Sequence, residues 1–171
     1  MIDFKQYDIG VANHISKLKL NRLPLYSWDF YGDFYQILSG NISDLNKLNL
    51  LGVENKWLFE TELTQELDAD TVILVTDAAI NIVFSTRNII RMTGYHHSEV
   101  LGKSPKIFQG QDTSKEISLE IRSAINSNKP FEKTVVNYRK DGTPYECHIK
   151  GFPIFNSRGN LSHFIAFEKA A

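Results

Sequence analysis

The chain has 171 residues and a single cysteine, Cys147. One thiol excludes an internal disulfide and any metal site built from several cysteines. Charge of either sign is not in excess: 19 Lys and Arg stand against 20 Asp and Glu, a formal net charge of −1. Binding to nucleic acid or to an anionic membrane surface calls for a basic excess or stripe, so neither partner is expected. No apolar run approaches the roughly 20 residues needed to span a bilayer. The start, MIDFKQYDIG, is not a secretory leader. A soluble, cytoplasmic protein is the expectation. Internal repeats and low-complexity tracts are also missing. So are paired carboxylates, a nucleophile–base set, a phosphate-cradling glycine loop and metal-ligand spacing, and an enzyme is therefore not expected.

What is present suffices for a buried core, since 42% of the residues are hydrophobic. Two parts are expected, a helical region over 1–66 and a second domain over 71–168, with the boundary near Glu66 to Asp70. In the first, Val11, Ile15 and Leu18 share a helical face, as do Phe30, Phe34 and Ile37 or Leu38. Pro24 separates these helices and Gly40 stops the second. A further helix is expected from Glu54 to Leu67, carrying Trp57, Leu58 and Leu63.

From Thr71 the pattern turns to strands. TVILVTD and INIVFST are β-rich runs around a short break at Asp77 to Ala79. Short helical pieces are expected at Arg87 to Thr93, Ser98 to Leu101 and Pro105 to Phe108. A longer helix is expected to start at a capping box, Thr113 to Glu116, bury Ile117, Ile121, Ala124 and Ile125, and stop at Asn128 and Pro130. Three strands follow: Phe131 to Arg139, Thr143 to Ile154 and Leu161 to Glu168. Asp141-Gly142 between the first two is a hairpin signal, with positive φ expected at both residues. His96 and His97, adjacent on a short helix, are expected to diverge and hold no metal.

Strand alternation places Val135, Asn137, Tyr145, Cys147 and Ile149 on one face, with Phe164, Ala166 and Glu168. His148 and His163 then point to the other face, with Val136, Tyr138, Ile165 and Phe167. That outward set is too apolar for a wet surface, so the N-terminal helices, with Trp57 and Leu63, or a second subunit should cover it.

Two segments carry a resemblance. GKSPKIFQG, Gly102 to Gly110, and NYRKDGTPY, Asn137 to Tyr145, are similar to the signature of LOV domains. These are the flavin-binding blue-light subgroup of PAS sensory modules, and the resemblance covers about Thr71 to Glu168. It implies an α+β PAS fold, a five-stranded antiparallel sheet with short helices on one face, here preceded by the helical segment. It implies a flavin, FMN or FAD, whose ring is held by Asn137 and Gln109 and whose phosphate is held by Arg122. Family members read GxNCRFLQG in the first segment, and the Cys forms a covalent bond to photoexcited flavin. Here Pro105 stands at that position, so the resemblance implies a sensor without the adduct. Ser104 replaces an Asn, Lys106 an Arg, Cys147 a second ring-binding Asn, and Glu168 a Gln. A thiol exchanges hydrogen bonds weakly and a carboxylate only accepts them. In an apolar pocket Glu168 should stay protonated or pair.

Bland roles stand beside these. Arg122 is otherwise a solvated flank, Gln109 and Gly110 a loop end, Cys147 a small buried apolar residue, and Glu168 a strand end in water. The expected partners are a flavin-type small molecule and a second copy or a separate signalling protein. The resemblance makes signal output through the sheet and N-terminal helices the leading function. Output should come from another protein, from the N-terminal part, or from sequence outside this one, because no kinase, cyclase or DNA-binding segment follows the domain. The competing reading is a ligand-free PAS domain for dimerisation or protein–protein contact, its interior filled by Phe84, Phe108, Phe152 and Phe164.

Overall fold

The computed structural model describes residues 43–58 and 70–171. The helices expected at Val11 to Leu18 and Phe30 to Leu38, the stop at Gly40, and Leu63 lie outside the described residues. So does most of the expected domain boundary.

Helix α1 spans residues 43–54. Strands β1 (Val72–Asp77) and β2 (Ile82–Ser85) precede α2 (Ile89–Thr93), α3 (His97–Val100) and a 3-10 turn at Pro105–Phe108. Helix α4 (Lys115–Asn126) and strands β3 (Phe131–Tyr138), β4 (Pro144–Phe155) and β5 (Leu161–Ala170) complete the order. All pairings are antiparallel in one sheet of order β2-β1-β5-β4-β3. The expected α+β architecture is the one that forms.

Four local expectations need correction. First, the helix expected from Glu54 does not form over 55–58, and its remainder lies outside the described residues: α1 ends at Glu54, because Lys56 adopts a left-handed conformation (φ 54°). Trp57 N donates to Gly52 O and Lys56 N to Val53 O, the paired bonds of a Schellman ending. A non-glycine residue in that region costs about 1–2 kcal/mol. Here the Lys56 carbonyl is held from outside by Ser157 N. Second, the N-cap of α4 is Ser114, whose hydroxyl accepts from Ile117 N, so there is no capping box at Thr113. Thr113 turns to the sheet edge and donates to Val136 O. None of the residues of α4 is fully buried, and its apolar stripe is half-covered. Third, only Gly142 (φ 87°) has positive φ in the β3–β4 turn. Arg139 N to Thr143 O and Gly142 N to Arg139 O close a three-residue loop, which needs one left-handed residue where a two-residue loop needs two. Fourth, His96 is the N-cap of α3 in extended conformation, so its ring lies 4.3 Å from that of His97 rather than diverging. Its Nδ1 is held by Ser98.

The sheet buries both faces but not equally. On the inner face Val72, Leu74 and Ile82 meet Ile89, Met92, Val100 and Phe108 from the helices and turn. On the outer face Ile73, Val75, Phe84, Ile154, Ile165 and Phe167 are covered by Leu48 and Leu51 of α1 and by Trp57. The expectation that the chain covers its own outer face holds for this half. Towards β3 the outer face is polar instead. His148 binds Glu132 (2.9 Å) and Thr134, with Lys150 nearby (3.9 Å). Tyr138 was expected with the apolar set but caps the edge strand: its hydroxyl donates to Asp112 and its ring lies against Gly110. Phe84 and Phe152 likewise belong to the outer layer rather than filling the interior.

Gly151 shows how closely the inner face is packed at β3. A Cβ there would overlap Phe131 at Cε1. Gly151→Ala is therefore expected to destabilise by about 1–3 kcal/mol through overpacking, read from urea unfolding midpoints. A second change, Phe131→Leu, should recover part of the loss.

Candidate functional site

The side-chain period of two gathers one polar row on the inner face of β3, β4 and β5. Asn137 sits opposite Tyr145, and Val135 opposite Cys147. Glu168 sits between Ile149 on β4 and Val72 on β1. All four polar members of the row are buried: Asn137 is 5% exposed, Tyr145 8%, Cys147 0% and Glu168 5%. Their walls are apolar, with Ile107, Ile117, Ile121 and Ile149 half-buried against the same core. The layout is a row of hydrogen-bonding groups set along one side of an apolar interior, a chemistry that suits the polar edge of a flat ring.

Burial sets the protonation of this row. It pushes Glu168 up from its ordinary 4.5 to about 7, so the carboxyl carries a proton under mildly acidic conditions. Cys147 Sγ lies 3.9 Å from Glu168 Oε2 as a weak donor. Burial and then the Glu168 charge push the Cys147 thiol well up, so it is not a nucleophilic thiolate at neutral pH. Burial, with Cys147 and Glu168 beside it, also pushes the Tyr145 phenol up, against a smaller downward pull from Asn137.

Tyr145 Oη is buried and makes no well-formed hydrogen bond, although the Asn137 amide lies beside it. A buried hydroxyl left alone costs about 1–3 kcal/mol. Thr76 Oγ1, on the inner face of β1, is in the same condition. The Tyr145 ring is fixed by the Arg139 guanidinium 4.7 Å above it, and Arg139 Nε donates to Met92 O. The Tyr145 hydroxyl thus points from a rigid ring. A flavin-type group, with carbonyl and ring-nitrogen acceptors at its edge, fits this donor set.

The residues singled out by sequence divide into two sets. Asn137, Cys147 and Glu168 come together in the buried row, and Glu168 is not a strand end in water. Ser104, Lys106, Gln109 and Arg122 do not join it. Ser104 caps the 3-10 turn, its hydroxyl accepting from Lys106 N (3.5 Å), and Lys106, Gln109 and Arg122 are exposed. Pro105 is the first residue of that turn. Sequence reasoning missed Tyr145 as a functional group. The signal was there, because a tyrosine hydroxyl on a buried face needs a partner. Among the described residues no group of three or more His, Cys, Asp or Glu could hold a metal ion. None of the described helices is long and apolar enough to cross a membrane.

Residues 70–169 match the PAS domain family. The protein TWIN LOV 1 of Arabidopsis thaliana is 35% identical over 98 residues, 55% of this chain and 25% of that protein. The nitrogen fixation regulatory protein of Klebsiella oxytoca is 30% identical over 112 residues, 66% of this chain and 22% of that protein. The chain therefore spans a quarter or less of the length of these curated relatives. Among solved structures, the LOV domain of the Erythrobacter litoralis EL346 blue-light activated histidine kinase superposes with a TM-score of 0.55 at 24% identity. That superposition covers 58% of this chain and 94% of the other.

Proposed function

The chain belongs to the PAS domain family, and from that premise we propose that it is a sensory module of LOV type that holds a flavin without bonding to it. The observation that carries this reading is the buried row Asn137, Tyr145, Cys147 and Glu168, with no well-formed hydrogen bond at the Tyr145 hydroxyl. A bound flavin, FMN or FAD, supplies blue-light absorption and electron-accepting chemistry. Asn137 orients the polar edge of the ring, since a carboxamide both donates and accepts. Tyr145 donates from its fixed ring. Glu168, pushed up to about 7 by burial, holds or releases a proton at its carboxyl as the charge beside it changes. Lys106 and Arg122, both exposed, are the groups we assign to the flavin phosphate, with Ser104 and Gln109 beside the turn. Pro105 offers no nucleophile, and the Cys147 thiol is enclosed in the sheet and protonated, so the residues supply no adduct-forming group.

Output follows the sheet. Glu168 is on the inner face while Phe167, next to it on β5, packs in the outer layer under α1 and Trp57. A change in the Glu168 side chain is thereby one residue from the α1 cover. On the far side of α1, Leu50 and Val53 are exposed, as is Leu58 beyond it, and we assign this patch to a second copy of the chain.

The test is the absorption spectrum of freshly purified protein. A blue flavin band is expected, and acid denaturation should release the flavin intact. Asn137→Leu should weaken FMN binding about tenfold or more, the loss of one buried hydrogen bond. A colourless protein that takes up no added FMN leaves the second reading, a ligand-free PAS domain used for protein contact. The inward Phe108 and Phe164 favour that reading, whereas the outward Phe84 and Phe152 remove half of its expected filling.

A further inference from the structure

We infer that Trp57 and His163 form an acid-released latch, which fastens the segment after α1 to the outer face of β5. The inference is independent of any ligand on the inner face. Trp57 Nε1 donates to His163 Nδ1 at 3.1 Å, and the two rings meet edge to face at 5.0 Å. Both residues are buried, at 7% and 8% exposure. Around this contact the segment adds a short ladder: Trp57 bridges Asn156, Leu58 N donates to Phe155 O, and Ser157 N donates to Lys56 O.

An indole N–H can only donate, so the bond exists only while Nδ1 carries no proton. The contact therefore requires the neutral imidazole with its proton on Nε2. Ser162 Oγ lies 2.7 Å from the same Nδ1. In the neutral ring Nδ1 accepts from Trp57, with the serine hydroxyl beside it. Once protonated, Nδ1–H donates to Ser162 Oγ, and the Trp57 N–H faces another donor. Ser162 thus gives the charged ring a partner in place, while the Trp57 Nε1 donor loses His163 as its acceptor. Protonation displaces the tryptophan and not the strand.

Among the described residues the groups facing His163 are few. Asp77, its register partner on β1, is the charged one, and its carboxylate is held by Asn81 N (2.8 Å) and Nδ2 (3.2 Å). Ile154 faces it from β4 and Ser162 flanks it on β5. Burial lowers the His163 pKa from its ordinary 6.5, and Asp77 raises it by less. A histidine lowered in the folded chain contributes full stability above its ordinary value and loses it as pH falls below about 6.5. Opening of the latch uncovers Val75, Ile154 and Ile165, the surface through which a sensor of this architecture would meet its output partner.

The experiment is amide hydrogen exchange on the full chain at pH 7.5 and pH 5, corrected for intrinsic exchange chemistry. Protection of the Trp57 and Leu58 amides is expected to fall at least tenfold at pH 5, while central β4 and β5 amides keep theirs. In His163→Gln, which can accept from Trp57 but does not titrate, the fall should vanish. Trp57→Phe, which keeps the ring cover without the N–H, should show a clearly smaller fall, because only the burial of His163 then opposes its protonation, and it serves if the glutamine variant does not fold. An unchanged wild-type profile, or a full tenfold fall that persists in either variant, overturns the latch.

Discussion

Trp57→Ala is expected to lower the unfolding free energy by about 3–5 kcal/mol, the usual cost of removing a buried tryptophan. The residue is 7% exposed and packs with Ile73, Val75, Ile154 and Ile165 across β1, β4 and β5. Its removal opens a cavity in that layer and leaves His163 Nδ1 without the indole donor. Trp57→Asp should cost more, because the new carboxylate would lie against an apolar surface, beside a histidine whose charged form burial disfavours. Leu119→Ala, on the exposed side of α4, is the control and should stay within about 0.5 kcal/mol. Urea unfolding at pH 7.5 reads all three. A Trp57→Ala loss under about 1 kcal/mol would mean that α1 and its trailing segment add little to the sheet.

The second large effect concerns Glu168 and has the opposite sign at alkaline pH. Burial raises this carboxyl from 4.5 to about 7. An acid raised in the folded state binds more protons folded than unfolded, so stability is full below about 4.5 and declines as pH rises to about 7. Above that it stays low. At about 1.4 kcal/mol per pH unit, the shift amounts to about 3 kcal/mol at pH 8. Glu168→Gln keeps the shape and the hydrogen-bonding capacity but cannot ionise. The variant should match wild type near pH 4.5 and exceed it by about 3 kcal/mol at pH 8. His163 acts in the other direction below about 6.5, but it is present in both proteins and cancels in the difference. Denaturant unfolding of the pair across pH 4.5 to 8 tests this. If the two stabilities run parallel, Glu168 is not held in an apolar site. The same carboxyl is the proton store of the proposed sensor, so this measurement also bears on its signalling step.

Much of the site was legible because β-structure has a period of two. Alternation along Val135, Asn137, Cys147 and Ile149, and along Phe164 and Glu168, puts the polar row on one face. The same rule, applied from Cys147, puts Phe152 outward, where it is found. It also sent His163 outward, but it could not say that an indole would bury it there. The motif residues outside the strands did not follow a rule of this kind. Ser104, Lys106 and Gln109 lie in and around the 3-10 turn, and Arg122 is on the flank of a half-covered helix. No short period relates those positions to the sheet.

Turn and helix ends show the same division. Asp141-Gly142 marked the β3–β4 hairpin, yet the loop closes from Arg139 to Thr143 and spares Asp141 a positive φ. Ser114 caps α4 in place of Thr113, because the Thr113 hydroxyl found a better acceptor in Val136 O across the edge strand. Propensity saw both oxygens, and the distant carbonyl chose between them.

Local order along the chain, from the alternating strands to the turn residues and the inward carboxamide at Asn137, came from the amino-acid sequence alone, because each depends on neighbours a few residues away. Three features belong to the tertiary structure: the docking of α1 on one half of the outer face, the Trp57–His163 bond across 106 residues, and the burial that brings Glu168 to about 7. Each depends on which surfaces meet and exclude water, and contact between segments far apart in the chain decides that.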